Sequence, residues 1–176
     1  MAVYTHFGSM DALVEAVVTD GFAVMEKHFL AAQRTDDPLR DVAAQTTAYV
    51  DFAAAHRDLY GVMFGTIPLG PYRSTRPERL YIGRAGTLDR VGENFGRAVR
   101  SGRVDDRRSS DLAFLWWSAV HGYALLEMSG HIHPNPGRTR VLRELLVTLF
   151  TGLGADRDTC SASVAAGFDA ERGAPD

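Results

Sequence analysis

Apolar residues recur at three- and four-residue steps along almost the whole chain, which predicts amphipathic helices; no stretch alternates in the manner of a strand. Ser9 stands where a helix N-cap belongs, and Asp11 follows in the first turn, where a carboxylate suits the helix dipole. Beyond them Leu13, Val14, Val17, Val18, Phe22, Met25 and Phe29 predict one long helix ending near Gln33. Gly21 weakens its local propensity without breaking the pattern. Asp37-Pro38 restarts the helix with a capping carboxylate and a proline at the first helical position. Leu39, Val42, Ala43, Thr46, Tyr49, Val50 and Ala53 then carry an apolar stripe to about His56. A short helix is expected over Asp58–Phe64, followed by a loop over Gly65–Pro77 with Pro68, Gly70, Pro71 and Pro77.

The next helix is predicted from Glu78 to about Ser101, with Tyr81, Ala85, Leu88, Val91, Phe95 and Ala98 inward. Gly83, Gly86, Gly92 and Gly96 lie inside it, which points either to close packing on a neighbour or to a helix that opens to admit a ligand. Ser109 or Ser110 is the expected cap of a helix running to about Ile132. Phe114, Leu115, Trp116, Trp117, Ala119, Val120, Tyr123, Leu125, Leu126 and Met128 cover nearly its whole circumference. Such a helix is covered on all sides, by the core on one and by a second subunit on another. A last helix is expected from Arg138 to about Leu153, after the break at 131–137. Hydrophobic density then drops, so 155–176 is expected to be a mobile tail with at most a weak turn around Val164–Phe168. The pattern thus predicts an all-α chain.

Composition narrows this further. The 176 residues are 45 % apolar and 23 % charged, enough for one domain with a core and unlike a disordered or fibrous chain. A formal charge of −3 gives no overall basic bias toward nucleic acid. The single cysteine, Cys160, excludes an internal disulfide framework and a four-thiolate zinc site, and fits a reducing cytoplasm. No run of apolar residues is long enough to span a membrane.

Candidate chemistry is sparse. Glu127, His131 and His133 could share a metal ion at a helix end, set against the simpler reading of solvent-facing histidines. Phosphate loops, nucleophile elbows and zinc-protease signatures are missing, and Cys160 has no histidine near it in sequence; no catalytic residue, cofactor or metal is expected. Trp117 and His121 lie one helical turn apart, so the imidazole is either a satisfied core group or a polar group inside a ligand cavity. At the N-terminus Tyr4, Thr5 and His6 would project hydroxyl and imidazole groups of the kind that contact phosphates and base edges.

Two stretches converge on one family. Tyr4-Thr-His6-Phe7-Gly-Ser9, followed by Leu13, resembles the junction between the third and fourth helices of TetR-family transcriptional regulators. Trp117-Ser-Ala-Val-His121-Gly122 resembles the Trp-x-x-x-His-Gly motif of one class of C-terminal ligand-binding domain in that family. The resemblance implies a cytoplasmic, homodimeric, ligand-responsive repressor, not an enzyme, with a long fourth helix linking a helix-turn-helix head to an all-α regulatory domain. It implies DNA contacts from Tyr4, Thr5 and His6, and a dimer interface including Ala119, Gly122, Leu126, Leu142, Leu145 and Leu149. It further implies a pocket lined by Tyr49, Phe52, Tyr60, Met63, Phe64, Leu88, Phe95, Trp117 and His121, suited to a small, largely apolar effector. Met10 stands where the family usually has Lys, removing one phosphate contact.

A reading head also needs a helix-turn-helix domain ahead of this motif, whereas three residues precede Tyr4. The expected organisation is therefore a remnant of the recognition helix over 1–9, a ligand-binding and dimerisation domain over 10–154, and a tail over 155–176. The expectation for this chain is dimerisation and effector binding without operator binding. The alternatives are a ligand-binding and dimerisation module that never meets DNA, and a helical metalloenzyme built on Glu127, His131 and His133.

Overall fold

The computed structural model describes residues 7–72 and 77–170, of which 77–85 as backbone only. Tyr4, Thr5 and His6 lie outside the described residues, as do the side chains of Tyr81 and Ala85. Helix α1 (Met10–Ala31) starts as its sequence dictates: Ser9 Oγ accepts from the backbone N–H of Ala12 at 3.1 Å. Its inward face is Gly21, Phe22, Met25 and Phe29. Helix α2 (Pro38–Ala55) opens on Asp37, whose carboxylate accepts from the N–H groups of Leu39 and Arg40 at 3.1 and 3.3 Å.

In place of the single apolar stripe expected for α2, every residue from 41 to 50 is buried. It is the central helix, packed against α1, α3 (Arg57–Phe64), α4 (Pro77–Arg100), α5 (Ser109–Met128) and α8 (Arg157–Ala170). Three of its polar side chains are consequently tied to neighbouring elements. The Asp41 carboxylate takes the backbone N–H and hydroxyl of Thr35 at 3.0 and 2.7 Å and the Arg97 guanidinium of α4 at 2.5 Å. Thr46 Oγ1 donates to Val42 O and accepts from Trp116 Nε1 of α5, both at 2.8 Å. Asp51, at the far end, meets Arg138.

Helix α3 ends on Gly65 in the left-handed region (φ 66°), where glycine avoids the Cβ clash. A 3₁₀ turn, Gly70–Tyr72, follows. In α4, Gly92 and Gly96 lie against Ser109 and Ala113 of α5, so of the two readings of its glycines these two follow close packing. Arg90 of α4 also pairs with Glu26 of α1 at 2.7 Å.

Helix α5 is shifted from its expected bounds. Ser109 is its first residue, Arg108 occupies the cap position without a side-chain bond, and neither Ser109 nor Ser110 caps it. It stops at Met128, before the expected Ile132, because Gly130 turns left-handed (φ 80°) and the N–H groups of His131 and Ile132 fold back onto Leu126 O. A helical rod follows: α6 (Pro134–Gly137), a π-helical segment (Arg138–Leu142) and α7 (Arg143–Gly152), helical in backbone angles across both joints. Among the described residues there is no strand, and no helix is long and apolar enough to cross a membrane.

The largest departure is at the C-terminus. Where a mobile tail with a weak turn was expected, α8 forms and packs on α2 and α7. Asp156 accepts from the N–H of Thr159 at 2.9 Å and starts it. Its buried face is Cys160, Ser163, Val164 and Gly167, and Ser163 Oγ reaches the Asp37 carboxylate. These residues are small, so they add little hydrophobicity to the sequence, yet they let two backbones approach closely. A Cβ on Gly167 would stand 2.6 Å from both Ala43 Cβ and Arg40 O. Gly167→Val is therefore expected to destabilise the chain by about 1–3 kcal/mol through overpacking. Urea unfolding checks this, and an unchanged midpoint would contradict the close approach.

Candidate functional site

Three helices bring polar aromatic groups to one point. Tyr49 comes from the fully buried middle of α2, Tyr60 and Phe64 from one face of α3 at i, i+4 spacing, and Trp117 and His121 from α5 at the same spacing. The Tyr49 and Tyr60 hydroxyls are 2.8 Å apart, and they lie 2.9 and 2.6 Å from His121 Nδ1. Trp117 Nε1 donates to the Tyr49 hydroxyl at 3.0 Å. The Phe64 ring closes the group, 4.5 Å from the Tyr60 ring, 4.8 Å from the imidazole and 6.0 Å from the Trp117 indole. The Tyr60 ring stacks on His121 at 5.5 Å and 22°.

Burial sets the protonation of this cluster. Desolvation pushes both tyrosine hydroxyls far above their ordinary value, so each keeps its proton. Desolvation also lowers the His121 pKa, favouring the neutral imidazole. His121 is hydrogen-bonded on one side of its ring and partly exposed.

The cluster touches α1 directly. Phe22 meets Phe64 edge-on at 5.7 Å, and Phe29 meets Tyr49 at 6.5 Å and Trp116 at 6.4 Å. Met63 packs beneath α1 against Gly21, where an added Cβ would stand 2.5 Å from its sulfur.

The other residues expected to line the pocket lie elsewhere. Phe52 is buried against His56 and His28, and Phe95 is buried edge-on to Phe150. Leu88 lines a separate open cleft of about 630 Å³ between α4 and the start of α5, where Arg34, Arg97, Arg100, Asp89 and Glu93 mix both charges. Phe114 joins this cleft to the cluster, its ring 6.2 Å from Trp117. Periodicity marks Leu88 and Phe95 as inward-facing, but not which interior space each one meets.

The grouping of Glu127, His131 and His133 does not form. Glu127 is buried, accepting from the Tyr123 hydroxyl at 2.7 Å and pairing with Arg138 at 3.1 Å. His131 is exposed and meets Ser129. Among the described residues no group of three His, Cys, Asp or Glu could hold a metal ion. Cys160 is buried, and desolvation raises its thiol pKa. The bridge from Asp51 through Arg138 to Glu127 was not anticipated, since its members are spread over three elements.

Neutral His121 makes stability pH-dependent. Its folded pKa is lowered, so the unfolded chain takes up the proton first, and stability present above about 6.5 is lost as pH falls below it. Between pH 7.5 and 5.5 the parent chain is expected to lose more stability than His121→Asn. Parallel urea-midpoint curves for the two would refute this.

The comparisons agree with this architecture. Residues 42–150, which span the whole cluster, match the family model described as "Tetracyclin repressor-like, C-terminal domain". The fold is similar to a solved structure of a protein with unknown function from Rhodococcus sp. RHA1, at 26 % identity and a TM-score of 0.66, over 84 % of this chain and 76 % of that one. No curated protein matches. The chain belongs to the tetracycline repressor-like C-terminal domain family.

Proposed function

We propose that this chain is the effector-sensing and dimerising part of a ligand-responsive TetR-type repressor. The observation that carries the reading is the direct packing of the Tyr49–Tyr60–Trp117–His121 cluster on α1 through Phe22 and Phe29. A small, largely apolar effector binding beside Phe64 and Trp117 displaces these rings and with them α1, which follows the stretch carrying Tyr4, Thr5 and His6. In this reading those three residues contact DNA only where a complete helix-turn-helix head accompanies them, and this chain alone binds effector without operator. Two arrangements of one rigid helix give a ligand the differential contacts it needs to shift an equilibrium.

The dimer face is supported by apolar residues left outside the core. Leu115 and Leu126 of α5 are 46 % and 45 % exposed, and with Ala119 and Gly122 they form one seam at steps of four, three and four. On the rod, Val141 is 44 % exposed, and Leu145 and Leu149 are partly buried beside it. Leu142, expected at this interface, is fully buried within the chain's own core, and Val141 takes the outward position. A two-fold pairing of these two helices with their copies would cover the seam.

Two measurements test the reading. Leu115→Glu with Leu126→Glu is expected to convert a dimer into a helical monomer, read by light scattering and circular dichroism; a monomeric parent chain at micromolar concentration removes the dimer. Spin labels on Asp11→Cys, in a Cys160→Ser background, are expected to change their separation across the dimer when an apolar ligand binds. Phe22→Ala should leave binding in place and shrink that change. Binding with no change in label distance removes the coupling to α1.

A further inference from the structure

The hydrogen-bond count in the cluster fixes more than its shape. Trp117 Nε1–H can only donate, and it donates to Tyr49. The Tyr49 hydroxyl, the Tyr60 hydroxyl and His121 Nδ1 then form a triangle with sides of 2.8, 2.6 and 2.9 Å. Each hydroxyl brings one proton. With Nδ1 unprotonated, Tyr49 donates to Tyr60 and Tyr60 donates to Nδ1, and every proton has an acceptor. With Nδ1 protonated, whether in the other neutral tautomer or in the cation, one hydroxyl proton is stranded whichever way the bonds run. A buried donor without an acceptor loses its hydration for nothing in return. Tyr60 donating to Tyr49 and Tyr49 to Nδ1 serves equally, so in either direction the chain of donors ends on an unprotonated Nδ1 and the imidazole carries its one proton on Nε2.

Both hydrogen bonds of His121 are made at Nδ1, so Nε2–H has no protein acceptor among the described residues, and the residue is partly exposed. Around the imidazole stand the rings of Tyr60, Phe64 and Trp117. Among the described residues no charged side chain enters the hydrogen bonding of the cluster. Arg57, the basic residue that opens α3, donates to Met128 O, and Asp51 of α2 is engaged by Arg138. Among the described residues the site offers one donor, aromatic walls and no countercharge. A ligand cation would meet the proton of Nε2, and a carboxylate would lose its hydration without a guanidinium or ammonium to replace it.

We propose that His121 Nε2–H is the polar recognition point for a small aromatic ligand bearing a neutral oxygen acceptor, of the aryl ketone, ester or amide type, with its ring against Phe64 and Trp117. This rests on the effector-site reading above and names the chemistry that the site selects. The Tyr49–Tyr60 chain acts as a positioning device, since it holds the imidazole in the one tautomer that presents a donor outward.

Three probes of one shape test it: 2-acetylnaphthalene, 2-ethylnaphthalene and 2-naphthoate, titrated calorimetrically into the intact chain. The ketone is expected to bind about 3- to 10-fold more tightly than the hydrocarbon, the worth of one hydrogen bond, and more tightly than the carboxylate. In His121→Phe the preference of ketone over hydrocarbon should vanish. Independently of any ligand, long-range ¹H–¹⁵N NMR of the parent chain at pH 7.5 should show His121 as the Nε2–H tautomer. An Nδ1–H tautomer, equal binding of ketone and hydrocarbon, or tighter binding of the carboxylate overturns this inference and leaves the effector-site reading standing. Binding of none of the three overturns both.

Discussion

A helix buried on every side must find partners for the polar groups it carries, and α2 meets this constraint at Asp41, Thr46, Tyr49 and Asp51 by bonding to the elements around it. Asp41 holds the α1–α2 connection through Thr35 and α4 through Arg97. Thr46 holds α5 through Trp116, Tyr49 holds α3 and α5 together, and Asp51 holds the C-terminal rod through Arg138. These contacts contribute modest net free energy, because each replaces a bond to water. Leaving any of them unmade is costly, so they select one arrangement of the surrounding helices. The apolar contacts supply the cohesion, and the polar ones along α2 supply the register.

The candidate site is a continuation of the same constraint. Tyr49 is one of the buried polar groups of α2, and its hydroxyl is satisfied by side chains that are themselves polar and buried. What distinguishes it is that the chain of donors ends at a group with one side open. At Asp41 and Thr46 the bonds close on themselves and hold structure. At Tyr49 they lead through Tyr60 and His121 to the surface.

Local signals were legible in the sequence. Ser9 with Asp11 and Asp37 with Pro38 mark helix starts because capping depends only on neighbours in the chain, and the i, i+4 pairing of Trp117 and His121 survives for the same reason. The central role of α2 was partly hidden, because Asp41, Gln45 and Thr47 stand outside the apolar stripe and read as a polar face. Helix α8 was illegible to hydrophobic density: Cys160, Ser163, Val164 and Gly167 do keep helical spacing, but small residues pack by proximity of backbones, which a scale of apolarity does not register. Leu88 and Phe95 show the opposite limit, since each is inward as its pattern demands yet faces a different neighbour from the cluster. The links among Tyr49, Tyr60 and His121 cross up to 72 positions of sequence, and only the fold brings them within bonding reach.

The π-helical segment Arg138–Leu142 has a geometric consequence for the rod that contains it. One extra residue in a helix turns everything on one side of it by roughly 100° relative to the other. The stretch ahead of the segment can therefore press Gly137 against Tyr123 and Ile132, while Arg138, at the segment's start, reaches Glu127 and Asp51. The stretch behind it is free to aim Leu146 and Phe150 at the core while Leu145 and Leu149 keep their own bearing. The segment thus works as a phase shifter between two orientations that no regular helix of this sequence could serve at once. The bearing of the outward apolar residues is decoupled from the bearing at which Arg138 reaches the central helix.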